Sequence, residues 1–360
     1  MRFRAKRSAL LQSGLRSEIV QLRDLDREER CLFRNLLADY VSSQVSFLTL
    51  DFALACSRVL TGALIARVFD ENGVRMYIPF QKESSPFHLT RHATKVGGHL
   101  SDRFSPAGPA LPSAQLLVLA DLLKVDTFRF DHYAGSDPRE GGGDEKITSG
   151  KIIRIDRGAE DYWASMKKHN PDFLRKIKKR IRGLAQQSGE LRLDLNVYDH
   201  RALDQIIEHK RSQYKATGVA DALQEQWTRA LLHELLDLRD SEDLCPLLSV
   251  LYAGDKWVAS HFGLLGPASE SGRVLSYWFA VYNKEFRAFG PGHILKYFII
   301  NAAHEADVNE IDLGEGENLH KLEYLTSDYG LSQGLSLASS WRGFAGRCEH
   351  AAHWRLRGKF

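Results

Sequence analysis

Apolar residues recur every three or four positions between residues 15 and 42. Ile19, Leu22, Leu25, Leu32, Phe33, Leu36 and Leu37 fall on related faces, and the spacing predicts helix there. A second helix is expected over 47–60. The pattern then alternates. The runs Ala63–Phe69 and Val74–Phe80 flank Glu71-Asn72-Gly73, and an Asn-Gly between alternating runs predicts a hairpin. Residues 95–112 read as loop, Leu116–Leu123 as helix and Thr127–Phe130 as a short strand. Gly135–Gly143 carries glycine, proline and charge with no apolar residue, which predicts an exposed linker.

After a strand at Lys151–Ile155 the second half opens with a basic helix, Glu160–Gln187. A strand (Leu191–Val197), two helices (Arg201–Lys215 and Gln224–Leu238) and a hairpin follow. The hairpin joins Leu247–Tyr252 to Trp257–Leu265 through Gly254-Asp255. The last readable unit is a strand (Val274–Tyr282), a turn (Phe289-Gly290-Pro291-Gly292-His293), a helix and a strand (Ile311–Leu313). Ile294, Leu295, Phe298, Ile299 and Ala302 give that helix a period near 3.6. The strand runs into Gly314-Glu315-Gly316-Glu317, with His320-Lys321 close behind. Both halves place helices first and a meander of strands after. The expected class is therefore α+β, with a mixed sheet and a repeated order of elements. The expected domains are 1–145 and 146–345, with 1–14 disordered and 346–360 a tail.

Composition narrows the partners. Of 360 residues, 43% are hydrophobic and 26% charged, which is ordinary for globular domains with real cores. Basic and acidic residues number 49 and 46, a net charge of +3, so no bulk field demands nucleic acid or an anionic membrane. Cys31, Cys56, Cys245 and Cys348 stand far apart without a C-x-x-C pair, so neither a disulfide framework nor a structural zinc is expected. The apolar run after the basic N-terminus is too short for a signal peptide, and no window reaches the length of a membrane span. A soluble, cytoplasmic protein without a metal is the expectation.

Four constellations could carry chemistry. Gly290-Pro291-Gly292 opens a helix, where unpaired amides and the helix dipole favour an anion; a plain turn is the alternative. Asp312, Glu315 and Glu317 cluster with glycines, where a carboxylate could take a proton from an amine; a solvated acidic turn is the alternative, and a magnesium site would need more carboxylates. His261, in a strand, titrates near neutrality when unperturbed and suits base work, or is a histidine satisfied by its neighbours. Tyr277 and Trp278 serve equally as ligand wall or core. The basic stretch Lys167–Arg182 is a solvated face or a groove for phosphates.

These motifs together resemble the CelD-type, Fem-like acyltransferases of the GNAT superfamily. The resemblance lies in Trp257-Val258-Ala259-Ser260-His261-Phe262-Gly263-Leu264, Tyr277-Trp278-Phe279-Ala280-Val281-Tyr282, Phe289-Gly290-Pro291-Gly292 and Ile311-Asp312-Leu313-Gly314-Glu315-Gly316, with His320-Lys321 beyond. Gly97-Gly98-His99-Leu100-Ser101-Asp102 and Glu208-His209-Lys210-Arg211 also look like that family. The family often has lysine where Glu315 stands, tyrosine where His320 stands, and serine in place of Gly290. The Glu315 difference reverses a charge beside the expected acyl site.

The resemblance implies two tandem GNAT-like acyl-CoA N-acyltransferase domains, the second holding acetyl-CoA and the first helping to hold the acceptor. It implies His261 or Asp312 on the base side and Lys321 facing an oxyanion or phosphate. Gly290, Pro291, Gly292 and His293 would meet the pyrophosphate, with Arg175 and Lys179 as further phosphate ligands. Trp278, Glu315 and Asp102 would face the acceptor, an unidentified small molecule or saccharide of bacterial polysaccharide assembly. Two competing readings are an aminoacyl-tRNA-dependent transferase, suggested by the basic helix, and a non-catalytic scaffold, suggested by Glu315.

Overall fold

The structure is a computed structural model that describes residues 14–41, 45–83, 90–111, 116, 119–133, 146–316 and 319–357. The expected linker at 135–143, the basic N-terminus and Glu317 lie outside the described residues, as does the side chain of His320. The chain forms two compact units. One comprises Met1–Ser43, Phe47–Ser149 and Gly330–Phe360; the other comprises Gln44–Ser46 and Gly150–Tyr329.

The first unit begins with β1 (Arg16–Gln21), α1 (Arg27–Tyr40) and α2 (Leu50–Val59). The helix expected from residue 15 starts only at Arg27. Residues 16–21 pair antiparallel with Gln21↔Leu64 through Arg16↔Phe69, so β-pairing overrides the helical spacing of Ile19 and Leu22. Asp26 then starts α1 with a reciprocal cap, its carboxylate accepting from Glu29 N–H while Glu29 accepts from Asp26 N–H. The predicted hairpin is present as β2 (Ala63–Asp70) and β3 (Gly73–Glu83), followed by β4 (His92–Lys95), α3 (Leu119–Leu122) and β5 (Thr127–Tyr133). β4 and β5 are parallel, His92–Thr94 against Thr127–Arg129. Ile78, Phe80, Phe104, Phe128, Phe130 and Tyr133 form much of the core.

The second unit takes up β6 (Lys146–Arg154) at Gly150 and contains α4 (Ala159–His169), α5 (Pro171–Ser188), β7 (Leu191–Asp194), α6 (His200–Thr217) and α7 (Gln226–Leu236). It continues with β8 (Cys245–Ala253), β9 (Lys256–Leu265), β10 (Arg273–Tyr282), α8 (Pro291–Asn301), β11 (Val308–Glu315) and α9 (Leu319–Leu322). The single basic helix expected over 160–187 is two helices. Pro171 lacks the amide that would continue α4, and Asn170 caps α5 by accepting from Phe173 N–H at 3.3 Å. The strand order is β6-β11-β10-β9-β8-β7, all antiparallel except β10 and β11.

The chain ends with β12 (Ser327–Leu337) and α10 (Trp341–Arg357). The expected boundary at 345 is therefore displaced: from Gly330 onward the chain belongs to the first unit, and the expected tail at 346–360 begins within α10. Ser332–Leu337 of β12 pair antiparallel with β5, while Gly150–Arg154 of β6 pair with β11. Each unit thus lays out strands in one order, an antiparallel meander, a parallel pair and one further antiparallel strand. Both units match the expected α+β class.

A chain ending at Tyr329 is expected to leave β5 without its β12 neighbour. Hydrogen exchange at the amides of Phe128 and Phe130 should accelerate strongly, and unchanged protection there would contradict the assigned role of β12.

Candidate active site

The crossover from β10 through α8 to β11 builds the site. The parallel ladder runs from Arg273↔Val308 to Ser276↔Asp312 and stops there, although β10 continues to Tyr282 and β11 to Glu315. Past Asp312 the pairing of β11 with β6 shifts register before Glu315↔Gly150. At the same level β10 places two residues, Tyr277 and Trp278, between Ser276 and Phe279, where β9 places one, Gly263, between Leu264 and Phe262. That extra residue is a bulge at Tyr277-Trp278, a feature that re-aims side chains beside active sites. Past Ser276 and Asp312 the two strands therefore no longer pair with each other.

The α8 N-terminus follows this parting in the chain. Gly290 adopts φ +62, a conformation glycine takes without strain, and Pro291 fixes the first helical residue. Gly290 O accepts from His293 N–H at 3.0 Å and from Ile294 N–H at 3.3 Å. A side chain at Gly292 would meet nothing within 4 Å, whereas one at Gly290 would meet the Arg180 guanidinium at 3.0 Å. Position 292 therefore has room for a side chain, and the cation beside the turn is Arg180 of α5. Pro291 is buried. His293 turns its ring toward Phe173 and Tyr324, centroids 5.8 Å away in each case.

The basic helix sorts by face. Phe173, Leu174, Ile177 and Leu184 are buried. Arg180 lies three residues after Ile177 and four before Leu184, on the inward stripe. Arg175 and Lys179 are exposed, with Arg175 paired to Asp172 at 2.9 Å. Arg175 and Lys179, which the resemblance puts on a phosphate, thus face solvent, and Arg180 is the cation beside the turn.

Beneath α8 lies a buried polar cluster. Lys296 is 5% exposed, its Nζ 4.5 Å from the Tyr324 ring centre and 5.3 Å from that of Tyr277. His261 is fully buried, stacked on Tyr277 with centroids 4.0 Å apart, and neither ring nitrogen has a hydrogen-bond partner. Burial first, and the Lys296 charge second, push His261 down to about 3, so its ring is neutral at pH 7. Burial, reinforced by repulsion from Lys321 and opposed by Glu323, pushes Lys296 down to about 7. Burial and the same Lys321 lower Lys210 on α6. The group poised to exchange a proton near neutrality is Lys296, which the sequence reading missed. Its spacing to Ile299 and Ile300, three and four residues on, had already set it on the buried face of α8.

Asp312 is buried at the end of the parallel ladder. Its Oδ1 accepts from Gly314 N–H at 2.8 Å, and Tyr329 Oη donates to both oxygens at 2.9 and 3.1 Å. Gly150 makes room for that tyrosine, since a side chain there would overlap its ring. Lys321 Nζ donates to Glu315 O at 2.5 Å, which ties α9 to the end of β11. Trp278 is half-buried beside Phe279 and Phe262. Asp102 belongs to the first unit, half-buried, and its charge raises the proton affinity of Lys95 there. His261, Asp312, Lys321, Trp278, Glu315 and the 290–293 turn all lie in the second unit.

Residues 171–322 match the sequence profile of a family described as acetyltransferase (GNAT) domain. No curated protein sequence matches the chain. Among solved structures, one similar chain is a conserved protein of unknown function from Bacteroides thetaiotaomicron. It has a TM-score of 0.53 and 14% identity, with 87% of this chain and 98% of that one covered. FemX is similar at TM-score 0.53 and 11% identity, covering 88% and 96%. The C-terminal domain of a putative lysylphosphatidylglycerol synthetase from Agrobacterium fabrum gives 0.50 and 11%, covering 89% and 96%. Likeness at these identities speaks to the fold alone. The profile match supports an acyltransferase of the GNAT superfamily.

Two outcomes follow. Lys296 releases its proton near pH 7 in the folded chain and near 10.5 when unfolded, so the unfolded chain holds the extra proton between those values. Stability should rise with pH across that window by about 1.4 kcal/mol per unit, and the cost of the buried charge should be fully present below pH 7. In Lys296→Met this slope should vanish, read by urea unfolding at pH 6, 8 and 9. Tyr329→Phe should cost roughly 1–3 kcal/mol by the same measurement, because the buried Asp312 carboxylate loses its hydroxyl donor.

Proposed function

We propose that the second unit transfers an acyl group from acetyl-CoA, or another acyl-CoA, to an amine or hydroxyl acceptor. The observation that supports this most is the separation of β10 from β11 beyond Ser276 and Asp312, with the glycine-opened N-terminus of α8 between them in the chain. Two strands that no longer pair with each other suit the extended amide arm of a thioester entering between them. The helix start, with Arg180 beside Gly290, suits its diphosphate.

In this reading the acceptor nitrogen or oxygen attacks the thioester carbonyl carbon and the new C–N or C–O bond forms. The acceptor proton passes to the neutral amine of Lys296, directly or through water. The C–S bond then breaks, and the coenzyme A thiolate leaves and takes up a proton. Backbone N–H groups at the bulge and the Lys321 ammonium stabilise the carbonyl oxygen as it gains charge, an effect often worth about 3 kcal/mol per donor. His261, neutral and buried, holds the Tyr277 ring against Lys296. Asp312, fixed by Tyr329, shapes the end of the slot, and Trp278 and Glu315 face the acceptor. Family resemblance suggests a small-molecule or saccharide acceptor of cell-envelope polysaccharide assembly, reached from the cytoplasm.

A second reading has one observation in its favour. Lys167, Lys168, Lys176, Lys178, Lys179 and Arg182 all sit exposed on α4 and α5, a basic face that a tRNA-bound donor could use. Binding of tRNA that outcompetes acetyl-CoA and weakens steeply with salt would favour it.

Thermal unfolding with acetyl-CoA tests the main reading. Ligand at 100 times its dissociation constant should add about 2.7 kcal/mol. Gly292→Asp places a carboxylate in open space at a helix start, where it should leave the fold intact and abolish the acetyl-CoA shift. An undiminished shift in that variant would remove the helix terminus from the site. A folded wild type that binds acetyl-CoA but never releases coenzyme A would instead mark a scaffold.

A further inference from the structure

Outside the acyl site, α6 and α7 carry the same spacing twice: His200-x3-Asp204 and His233-x3-Asp237. Residues four apart share one face of a helix. The two faces meet, and the four side chains join in a row. His200 Nε2 lies 3.0 Å from Asp237 Oδ1, and His233 Nε2 lies 3.1 Å from Asp204 Oδ1. Between them the two Nδ1 atoms stand 2.8 Å apart, with ring planes within 15° of each other.

The protons of this row do not balance without an added cation. An ionised carboxylate only accepts, so each Nε2 must donate its hydrogen to the aspartate it faces. A neutral imidazole has one such hydrogen. Each Nδ1 is then a bare lone pair, and the two lone pairs point at one another across a hydrogen-bond distance. That contact is repulsive unless a positive species lies between them, either a shared proton or a metal ion. Carboxylate on the far nitrogen and an open lone pair on the near one is also how metal-bound histidines are usually oriented.

We propose that His200 and His233 form a two-imidazole site for a divalent transition-metal ion of the Zn²⁺ or Cu²⁺ class. At a metal–nitrogen distance of ~2.0–2.1 Å and a tetrahedral angle the two nitrogens would stand about 3.3 Å apart. The side chains, 49% and 31% exposed, need to separate by about half an ångström and to tilt so that both lone pairs converge on the ion. Among the described residues no group of three or more histidine, cysteine or carboxylate side chains is set to hold a metal. The remaining positions would therefore belong to water or an incoming ligand. The nitrogen donors exclude Mg²⁺ and Ca²⁺, which take oxygen ligands. The ion would tie the first turn of α6 to the last turn of α7. This site does not depend on the acyl-transfer reading, and it departs from the metal-free expectation of the sequence.

The test uses the full-length chain, stripped with chelator and titrated with Zn²⁺ by calorimetry and thermal unfolding. One equivalent should bind and raise the melting temperature, while Mg²⁺ should do neither. His200→Ala and His233→Ala should each remove that binding, and Asp204→Asn with Asp237→Asn should weaken it 10–100-fold. Cu²⁺ in place of Zn²⁺ should show hyperfine coupling to two imidazole nitrogens in its electron paramagnetic resonance spectrum. Absence of saturable Zn²⁺ binding would mean the pair shares a proton instead, and would overturn the proposal. Binding that survives both histidine substitutions would overturn it equally.

Discussion

Two neighbouring strands that run in the same direction cannot be joined by a tight turn. The chain must leave one end of the sheet and cross back over its face to the other. In the second unit that constraint fixes nearly everything of interest. The crossover from β10 to β11 is α8, so its N-terminus must follow the C-terminal end of β10, where the two strands also part. Open α/β architectures bind ligands at such C-terminal strand ends for the same reason. The glycine at 290 and the proline at 291 then serve a definite purpose, turning the chain sharply enough for the helix to begin there.

Electrostatics sharpens the picture beneath that helix. A lysine and a histidine both pack against aromatic rings; burial makes it harder for each to carry charge, and the lysine's charge adds to the histidine's cost. Burial and the charge of Lys296 keep His261 neutral, and the exchangeable proton near neutrality resides on Lys296. Contact with the faces of Tyr277 and Tyr324 offsets part of the cost of burying the ammonium. The surrounding charges thus assign roles that residue type alone does not.

Much of the fold was legible in the sequence, because its signals are local. The hairpins around Asn72-Gly73 and Gly254-Asp255, the strand at 274–282 and the start of α8 all follow from alternation, turn chemistry and helix-start residues. Asn170-Pro171 announced a break that the continuous apolar spacing obscured. Arg180 and Lys296 are legible too, since their spacing to Ile177, Leu184, Ile299 and Ile300 sets them on inward faces. Other features are non-local. Nothing between residues 16 and 21 says that β2 will claim them, and nothing in 327–337 says that β5 is the partner. The His200–His233 pairing likewise exists only once two helices have packed.

The return of β12 to the first unit has a consequence for how the protein is made. As the chain emerges from the ribosome, the earlier unit has its meander and parallel pair long before its closing strand exists. The later unit has its own closing strand, β6, from the start. Completion therefore runs against the order of synthesis, and β5 waits as an unprotected edge, rich in phenylalanine, until the last segment arrives. A cell under heat stress would meet its aggregation risk in nascent chains rather than in finished ones.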